Sequence, residues 1–261
     1  MAVGQQFSYM SIAKEEIRTV IIVQARMGST RLPGKILKKV MDRPILEYQI
    51  ERLKKVRNAA DVVIATTVNK NDELVVDLCN QLGCSFIKGS EEDVLSRYLE
   101  AAIEYDAKFI VRINADCPLI DPNVVERVIK HYHSNILKYD YVSNILKPSY
   151  PVGFHTEMFS LSTLKQAHKN AFDPIEREHV TPYIYRNPHM FKIGSVELDV
   201  NLSHYRWTVD YSNDFDLVKK IIEGIYPVKA DFDMYDILDY LEAHPELNDI
   251  NSGIIKEQII V

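Results

Sequence analysis

Along the first half of the chain, short apolar runs rich in β-branched residues alternate with longer stretches whose apolar positions follow a helical period. Thr19 to Gln24 (TVIIVQ) has the length and composition of a buried strand, and turn residues follow at once. Pro44 suits the first turn of a helix whose apolar positions Ile45, Leu46, Tyr48, Ile50, Leu53 and Val56 repeat about every 3.6 residues. Asp61 to Thr66 (DVVIAT) predicts a second strand. Asn71 is placed to cap a helix through Leu82 that Gly83 ends, and Ser85 to Ile87 predicts a short third strand. Ser90 with Asp93 resembles a capping box and opens a helix to about Tyr105. Phe109 to Ile113 predicts a fourth strand, and Pro122 begins a helix reaching about His133.

Strands separated by helices of this length imply parallel pairing with right-handed crossovers. The expected fold is an open, mostly parallel, Rossmann-like α/β sheet with helices on both faces. Ligands in such sheets bind at the carboxyl ends of the strands. That rule gathers Ala25 to Lys35, Thr66 with Thr67, and Asn114 to Pro118 on one rim. The pattern is less regular between about 139 and 202, where Pro148, Pro151, Pro174, Pro182 and Pro188 fall, so an irregular excursion is expected there. Regularity returns with His204 to Val209 as a further strand and Asn213 to Ile225 as its helix, which puts Asp210 at a strand end too. Residues 1–16 have no clear period and read as an N-terminal extension; residues 17–261 read as a single domain.

Composition narrows the choices of function. The 261 residues are 46% apolar and 26% charged, enough for one sizeable core. No run approaches the length of about eighteen apolar residues that a membrane span needs, and the start lacks the basic and apolar regions of a signal peptide. A cytoplasmic protein without a membrane partner is the expectation. Cys79, Cys84 and Cys117 form no CxxC pair and read as buried free thiols. A net charge of −6 argues against a nucleic-acid partner, because that needs many phosphate contacts. Any anion must be held locally, and one stretch departs from the acidic background: from Ile17 to Met41 the charges are Arg18, Arg26, Arg31, Lys35, Lys38 and Lys39, with no acid among them.

That stretch contains the loop Ala25 to Lys35 (ARMGSTRLPGK). A triphosphate calls for exposed backbone N–H groups and several cations. Gly28 and Gly34 permit close backbone approach, Ser29 and Thr30 add hydroxyl donors, and Arg26, Arg31 and Lys35 add charge, with Lys35 a compact charge suited to a terminal phosphate. A P-loop is excluded, since five residues separate Gly28 from Gly34 and Ile36 follows Lys35; GxGxxG is absent. The choice left open by spacing is a phosphate-anion loop or a solvated surface loop. Magnesium takes one or two carboxylates together with substrate phosphates, and Asp116 and Asp210 are suited to hold it. The competing role for each is a cap or a turn.

The segments VIIVQARMGSTRLPGK, IVRINADCPLIDP, REHVTPYIYRNP and RWTVDYSNDFDLV resemble the cytidylyltransferases that activate acidic sugars, the CMP-Kdo and CMP-acylneuraminate synthetases. The resemblance is closest to the spore coat polysaccharide biosynthesis protein F group and spans about residues 19–225. It implies a nucleotidyltransferase sheet and an Mg2+-dependent transfer of CMP from CTP to an acidic sugar or a phosphorylated or phosphonate acceptor, releasing pyrophosphate. It implies catalytic roles for Arg26, Lys35 and Asp116, phosphate contacts from Arg26, Arg31 and Lys35 within the Ala25, Gly28, Ser29 loop, and Asp116 and Asp210 as metal ligands. By position it also implies a pyrimidine pocket at Thr66, Thr67 and Ser90, and a homodimer. NADCPL departs from the Gln-Gly-Asp common in the CMP-Kdo enzymes, and GFHTE departs from the GLDVE common in the spore coat group. The acceptor is expected in the excursion, at His155, Glu157, Glu178 and His179, with Arg112 beside them. A satisfied histidine is the alternative for His179, and an internal ion pair for Arg112. A glycosyltransferase using a nucleotide-sugar donor is the rival function, with Asn114-Ala115-Asp116 as half of its Asp-x-Asp motif.

Overall fold

A computed structural model describes residues 17–254, so the expected extension at 1–16 lies outside the described residues. The first predicted strand forms as expected: β1 is Thr19–Gln24. Its alternate residues feed two separate apolar clusters, Ile21 and Val23 on one face and Val20 and Ile22 on the other. A strand buried on both faces reads as a continuous apolar run, which is why TVIIVQ shows no alternation.

After β1 come a small hairpin of β2 (Lys39–Val40) and β3 (Arg43–Pro44), then α1 (Ile45–Leu53). β4 (Asp61–Thr67) leads to α2 (Glu73–Leu82), which ends on Gly83 in the left-handed conformation (φ 54°), as its sequence signal promised. β5 (Ser85–Gly89), α3 (Val94–Glu104), β6 (Phe109–Asn114) and α4 (Pro122–Ser134) complete the regular part. β5, β4, β1 and β6 pair in parallel in that order.

Two cap assignments change. The N-cap of α3 is Asp93, whose side chain accepts from the Ser96 backbone N–H, while the Ser90 hydroxyl accepts from the Asp93 N–H one turn earlier. Asn71 sits inside a single 3-10 turn, Lys70–Asp72, and does not cap α2.

The excursion is more ordered than its prolines suggest. It contributes β7 (Tyr141–Ser143), β8 (Glu157–Ser160) and β9 (Ile193–Ser195), with α5 (Leu161–Asn170), α6 (Pro174–His179) and α7 (Pro182–Tyr185) between the last two strands. β8 pairs antiparallel with β6 and β7, and β9 pairs in parallel with β7. The central sheet therefore has seven strands in the order β5-β4-β1-β6-β8-β7-β9. Strands of three or four residues are too short to show a period.

His204 to Val209 is not a strand. Its one bridge joins Arg206 to Val152, and Gly153 explains the closeness of that approach. Gly153 has φ 111°, and a Cβ there would lie 2.7 Å from the Trp207 carbonyl carbon. The segment then bonds to the loop after β6, Val209 N–H donating to the Asp116 carbonyl at 2.9 Å. α8 (Ser212–Ile225) and α9 (Met234–Ala243) follow and pack on the face that holds Ile21 and Val23.

Candidate active site

A cleft of about 340 Å3 opens at the carboxyl ends of β1 and β6. A larger cavity, about 1120 Å3, lies at the opposite end of these strands, beside Thr19, Ala60 and His133. The sheet rule and the converging charges both favour the smaller one.

The β1 loop forms one wall. Gly34 has φ 68° and its N–H donates to the Met27 carbonyl at 3.1 Å, so residues 27–34 close on themselves. A residue that the sequence reading missed anchors this ring. Asp72, 2% exposed, accepts the Met27 N–H at 2.6 Å on one oxygen and the Thr67 hydroxyl on the other. Gly28, Ser29 and Thr30 line the cleft, and among the described residues their N–H groups have no protein acceptor. An anion there meets backbone donors as well as the side chains of Arg26, Arg31 and Lys35.

At the inner end, Lys35 Nζ lies 2.7 Å from Asp116 Oδ2 and 2.7 Å from Asp210 Oδ1. The Val209–Asp116 bond brings the two acids together although neither is on a shared strand. Arg206 fixes Asp210 from behind, its Nη2 donating to Oδ2 at 2.7 Å while its Nε donates to the buried Asp214 at 3.0 Å. Asp214 in turn accepts the Asp210 N–H at 3.0 Å, and Asn251 donates to Asp214 at 2.9 Å. Burial depresses the Lys35 ammonium, but the two carboxylates outweigh it and hold its pKa above the ordinary value. Burial likewise works to raise the Asp210 carboxyl, yet Lys35 and Arg206 hold it below the usual carboxylate range.

Two carboxylates already sharing a cation form a donor set that suits a hard divalent ion, which takes its remaining ligands from phosphate and water. No group of three or more His, Cys, Asp or Glu side chains able to hold a metal exists among the described residues. Cys117, beside Asp116, is buried and its thiol is pushed well up by that burial, so it packs rather than reacts. Cys79 and Cys84 are also free and buried, as expected.

The other expected residues divide. Ala25, Arg26, Gly28, Ser29, Arg31, Lys35, Arg112, Asp116, Glu178, His179 and Asp210 all line the cleft. Thr66 and Thr67 do not: both are fully buried, and Thr67 serves the loop through Asp72. Ser90 is exposed outside the lining and accepts from Arg97 through its carbonyl. Glu157 is also withdrawn. The β6–β8 register sets it opposite Arg112, whose Nη1 donates to it, and Tyr141 donates to its other oxygen at 2.8 Å. Arg112 further donates to Gln24 at 3.0 Å, so the internal-pair alternative describes it. His155 is half-buried near Asp116, Glu157, Arg112 and Arg206, outside the lining, and burial lowers its pKa.

Glu178 and His179 reach the cleft from the end of α6. Arg177 ties that helix to the Asp93 cap and to the Ser96 hydroxyl at 2.8 Å. The chain then reverses through a γ-turn at Val180 (φ 71°, ψ −53°), with Thr181 N–H donating to the His179 carbonyl at 2.8 Å. Positive φ is rare and strained for a β-branched residue, and complete burial of Val180 holds it there. Arg26 spans the cleft mouth, 3.7 Å from Glu91 and 3.5 Å from Glu178.

An open α/β sheet, a donor-rich loop after the first strand and two carboxylates at the strand ends define a nucleotidyltransferase. Comparison with known proteins gives the family: the cytidylyltransferase profile matches residues 20–249, and the chain belongs to that family. It is 38% identical over 242 residues to an uncharacterised protein of Methanocaldococcus jannaschii, covering 91% of this chain and 96% of that one. It is 26% identical over 234 residues to the spore coat polysaccharide biosynthesis protein SpsF of Bacillus subtilis, covering 87% and 95%. Among solved structures, a cytidylyltransferase from Leptospira borgpetersenii superposes with a TM-score of 0.87 at 32% identity, covering 92% of this chain and 99% of that one. CTP-using transfer follows from family membership, and the glycosyltransferase reading falls. Among the described residues, no helix is long and apolar enough to cross a membrane.

Proposed function

We propose that the protein transfers CMP from CTP to an acidic sugar or a related phosphorylated or phosphonate acceptor, with release of pyrophosphate and with Mg2+ held by Asp116 and Asp210. The observation that carries this reading is the meeting of Asp116, Asp210 and Lys35 in the cleft that the β1 loop lines. Bound there, the metal supplies Lewis-acid neutralisation of phosphate charge.

The chain's own groups then have separable tasks. Gly28, Ser29 and Thr30 donate to phosphate oxygens, and Arg26 and Arg31 clamp the triphosphate from the outer side. Lys35 balances charge on the departing pyrophosphate. An acceptor oxygen attacks the α-phosphorus in line, and positioning dominates because no protein atom joins the covalent change. Glu178 and His179 are the acceptor-facing side chains. The closed Arg112–Glu157–Tyr141 network forms the floor behind them. The name of the Bacillus relative supports a product used in surface polysaccharide synthesis.

The test is pyrophosphate release from CTP and Mg2+ across a panel of acidic, phosphorylated, phosphonate and neutral sugars. Release with an anionic acceptor, lost in Asp116→Asn, is the expected result. Release with neutral sugars alone, or unimpaired release by Asp116→Asn, sinks the assignment.

A further inference from the structure

The helix α2 opens on an acid that does not cap it. Asp72 is its N-cap residue, a position where aspartate is favoured because the side chain ordinarily accepts an N–H of the first turn. The Asp72 carboxylate accepts none from its own helix. It turns instead toward the β1 loop: Oδ1 accepts the Met27 N–H at 2.6 Å, and Oδ2 accepts the hydroxyl of Thr67, the last residue of β4. Thr67 Oγ1 itself accepts the Asn69 N–H at 3.1 Å, which braces the turn between that strand and Asp72. Asp72 is 2% exposed and Thr67 is wholly buried.

A residue that breaks a local helix rule is ordinarily serving a function elsewhere. Attraction of the ligand is not that function, because a carboxylate bonded to a loop that receives an anion repels the anion. Geometry is what remains. Ala25 N–H still follows the sheet, donating to the Ala65 carbonyl at 3.1 Å, and two residues later Asp72 takes over the backbone. Met27 is then held through both of its own polar groups, its N–H by Asp72 and its carbonyl by the Gly34 N–H that closes the ring. Gly28, Ser29 and Thr30 follow Met27 directly and line the cleft.

We propose that Asp72 is a positioning residue for nucleotidyl transfer: by fixing Met27 it sets the loop that carries Gly28, Ser29 and Thr30 in its triphosphate-binding arrangement before the nucleotide arrives. The proposal rests on the reading of this loop as the triphosphate site, and not on the choice of acceptor. Donors placed in advance need no reorganisation when charge develops on phosphate. A loop that spends only part of its time in the competent arrangement binds more weakly by that fraction.

The test compares wild type with Asp72→Asn, Asp72→Ser and Asp72→Ala by calorimetric titration with tripolyphosphate and with CTP in the presence of Mg2+, by amide hydrogen exchange without ligand, and by thermal melts. Asparagine keeps an oxygen for the Met27 N–H. Serine is a good N-cap but one bond shorter, so it serves the helix and not the loop, and it stands in for alanine if that variant does not fold. Asp72→Ser and Asp72→Ala should weaken both ligands alike by roughly ten- to a hundredfold, the scale of one hydrogen bond to a charged group. Exchange should quicken in residues 27–34 while residues 73–82 keep their wild-type protection, and Asp72→Asn should retain most of the affinity. Variants that melt lower yet bind tripolyphosphate as wild type does, or whose exchange quickens in residues 73–82 and not in the loop, would make Asp72 a support of α2 alone and overturn the proposal. Wild type that binds neither tripolyphosphate nor CTP would overturn the triphosphate reading itself and the proposal with it, a failure visible without any variant.

Discussion

Replacing Lys35 by Met tests the centre of the site. The substitution keeps the apolar stem and removes the charge that Asp116 and Asp210 share. Two oxygens each 2.7 Å from one nitrogen are at most ~5.4 Å apart, so at an effective dielectric near 20 their repulsion is ~3 kcal/mol. Side-chain exposures of 21% and 22% leave modest screening, and Arg206 offsets part of the charge on Asp210. A loss of about 1–3 kcal/mol is expected, or a Tm lower by roughly 2–10 °C.

Mg2+ at millimolar concentration should raise the Tm of this variant more than that of wild type, because in wild type Nζ already occupies the space between the acids. Turnover should fall about 10²–10³-fold, the usual effect of removing one fixed charge donor. The pH dependence follows from the two shifts. Lys35 is raised above its reference value of 10.5, so its contribution is complete below that pH and is lost as pH rises through the higher folded value. Asp210 is lowered below 3.8, so its contribution is complete above that pH and is lost as pH falls through the lower folded value. The stability gap between wild type and variant, read from urea denaturation, is therefore widest between those two limits and closes outside them. A variant with wild-type Tm, no response to Mg2+ and normal pyrophosphate release would refute the reasoning.

Other expectations can be checked with the same assays. Arg112→Met leaves Glu157, 3% exposed, without its cation and should cost about 3–5 kcal/mol, while Arg112→Met combined with Glu157→Met recovers most of it in urea denaturation; a neutral single variant refutes the buried pair. Gly153→Ala forces a Cβ against Trp207 at positive φ, and should lower the Tm and reduce turnover because the same contact carries the chain toward Asp210. Asp93→Ala removes the α3 cap and the Arg177 contact that orients α6; a loss of about 1–2 kcal/mol is expected, with impaired use of the acceptor but normal binding of CTP by calorimetry.

The legible parts of this molecule were those where a local pattern and a tertiary role coincide. TVIIVQ declares a doubly buried strand through composition alone, and the ARMGSTRLPGK loop declares itself because glycines, hydroxyls and cations crowd into a stretch without acids. Asp210 was placed on the correct rim for the wrong reason, since no strand carries it there. A glycine 57 residues earlier, Gly153, and one bond to the Asp116 carbonyl do so, and no sequence period encodes a contact between two irregular segments. Residue type likewise does not show that the Thr67 hydroxyl is taken by Asp72 and Glu157 by Arg112 and Tyr141, or that Thr66 is buried away from the cleft.

Arg97 marks the opposite limit. In sequence it sits on an amphipathic helix among Ser96, Tyr98 and Glu100, where an arginine is ordinarily a solvated residue. Its burial appears only in the structure, where Arg97 is 1% exposed, lines the cleft and donates to the Ser90 carbonyl, while Arg52 is held by two carbonyls and a ring. Lys35 and Asp210 satisfy each other as they stand. A metal held as proposed by Asp116 and Asp210 would have to displace the Lys35–Asp210 contact, and the stronger that contact, the weaker the binding would be.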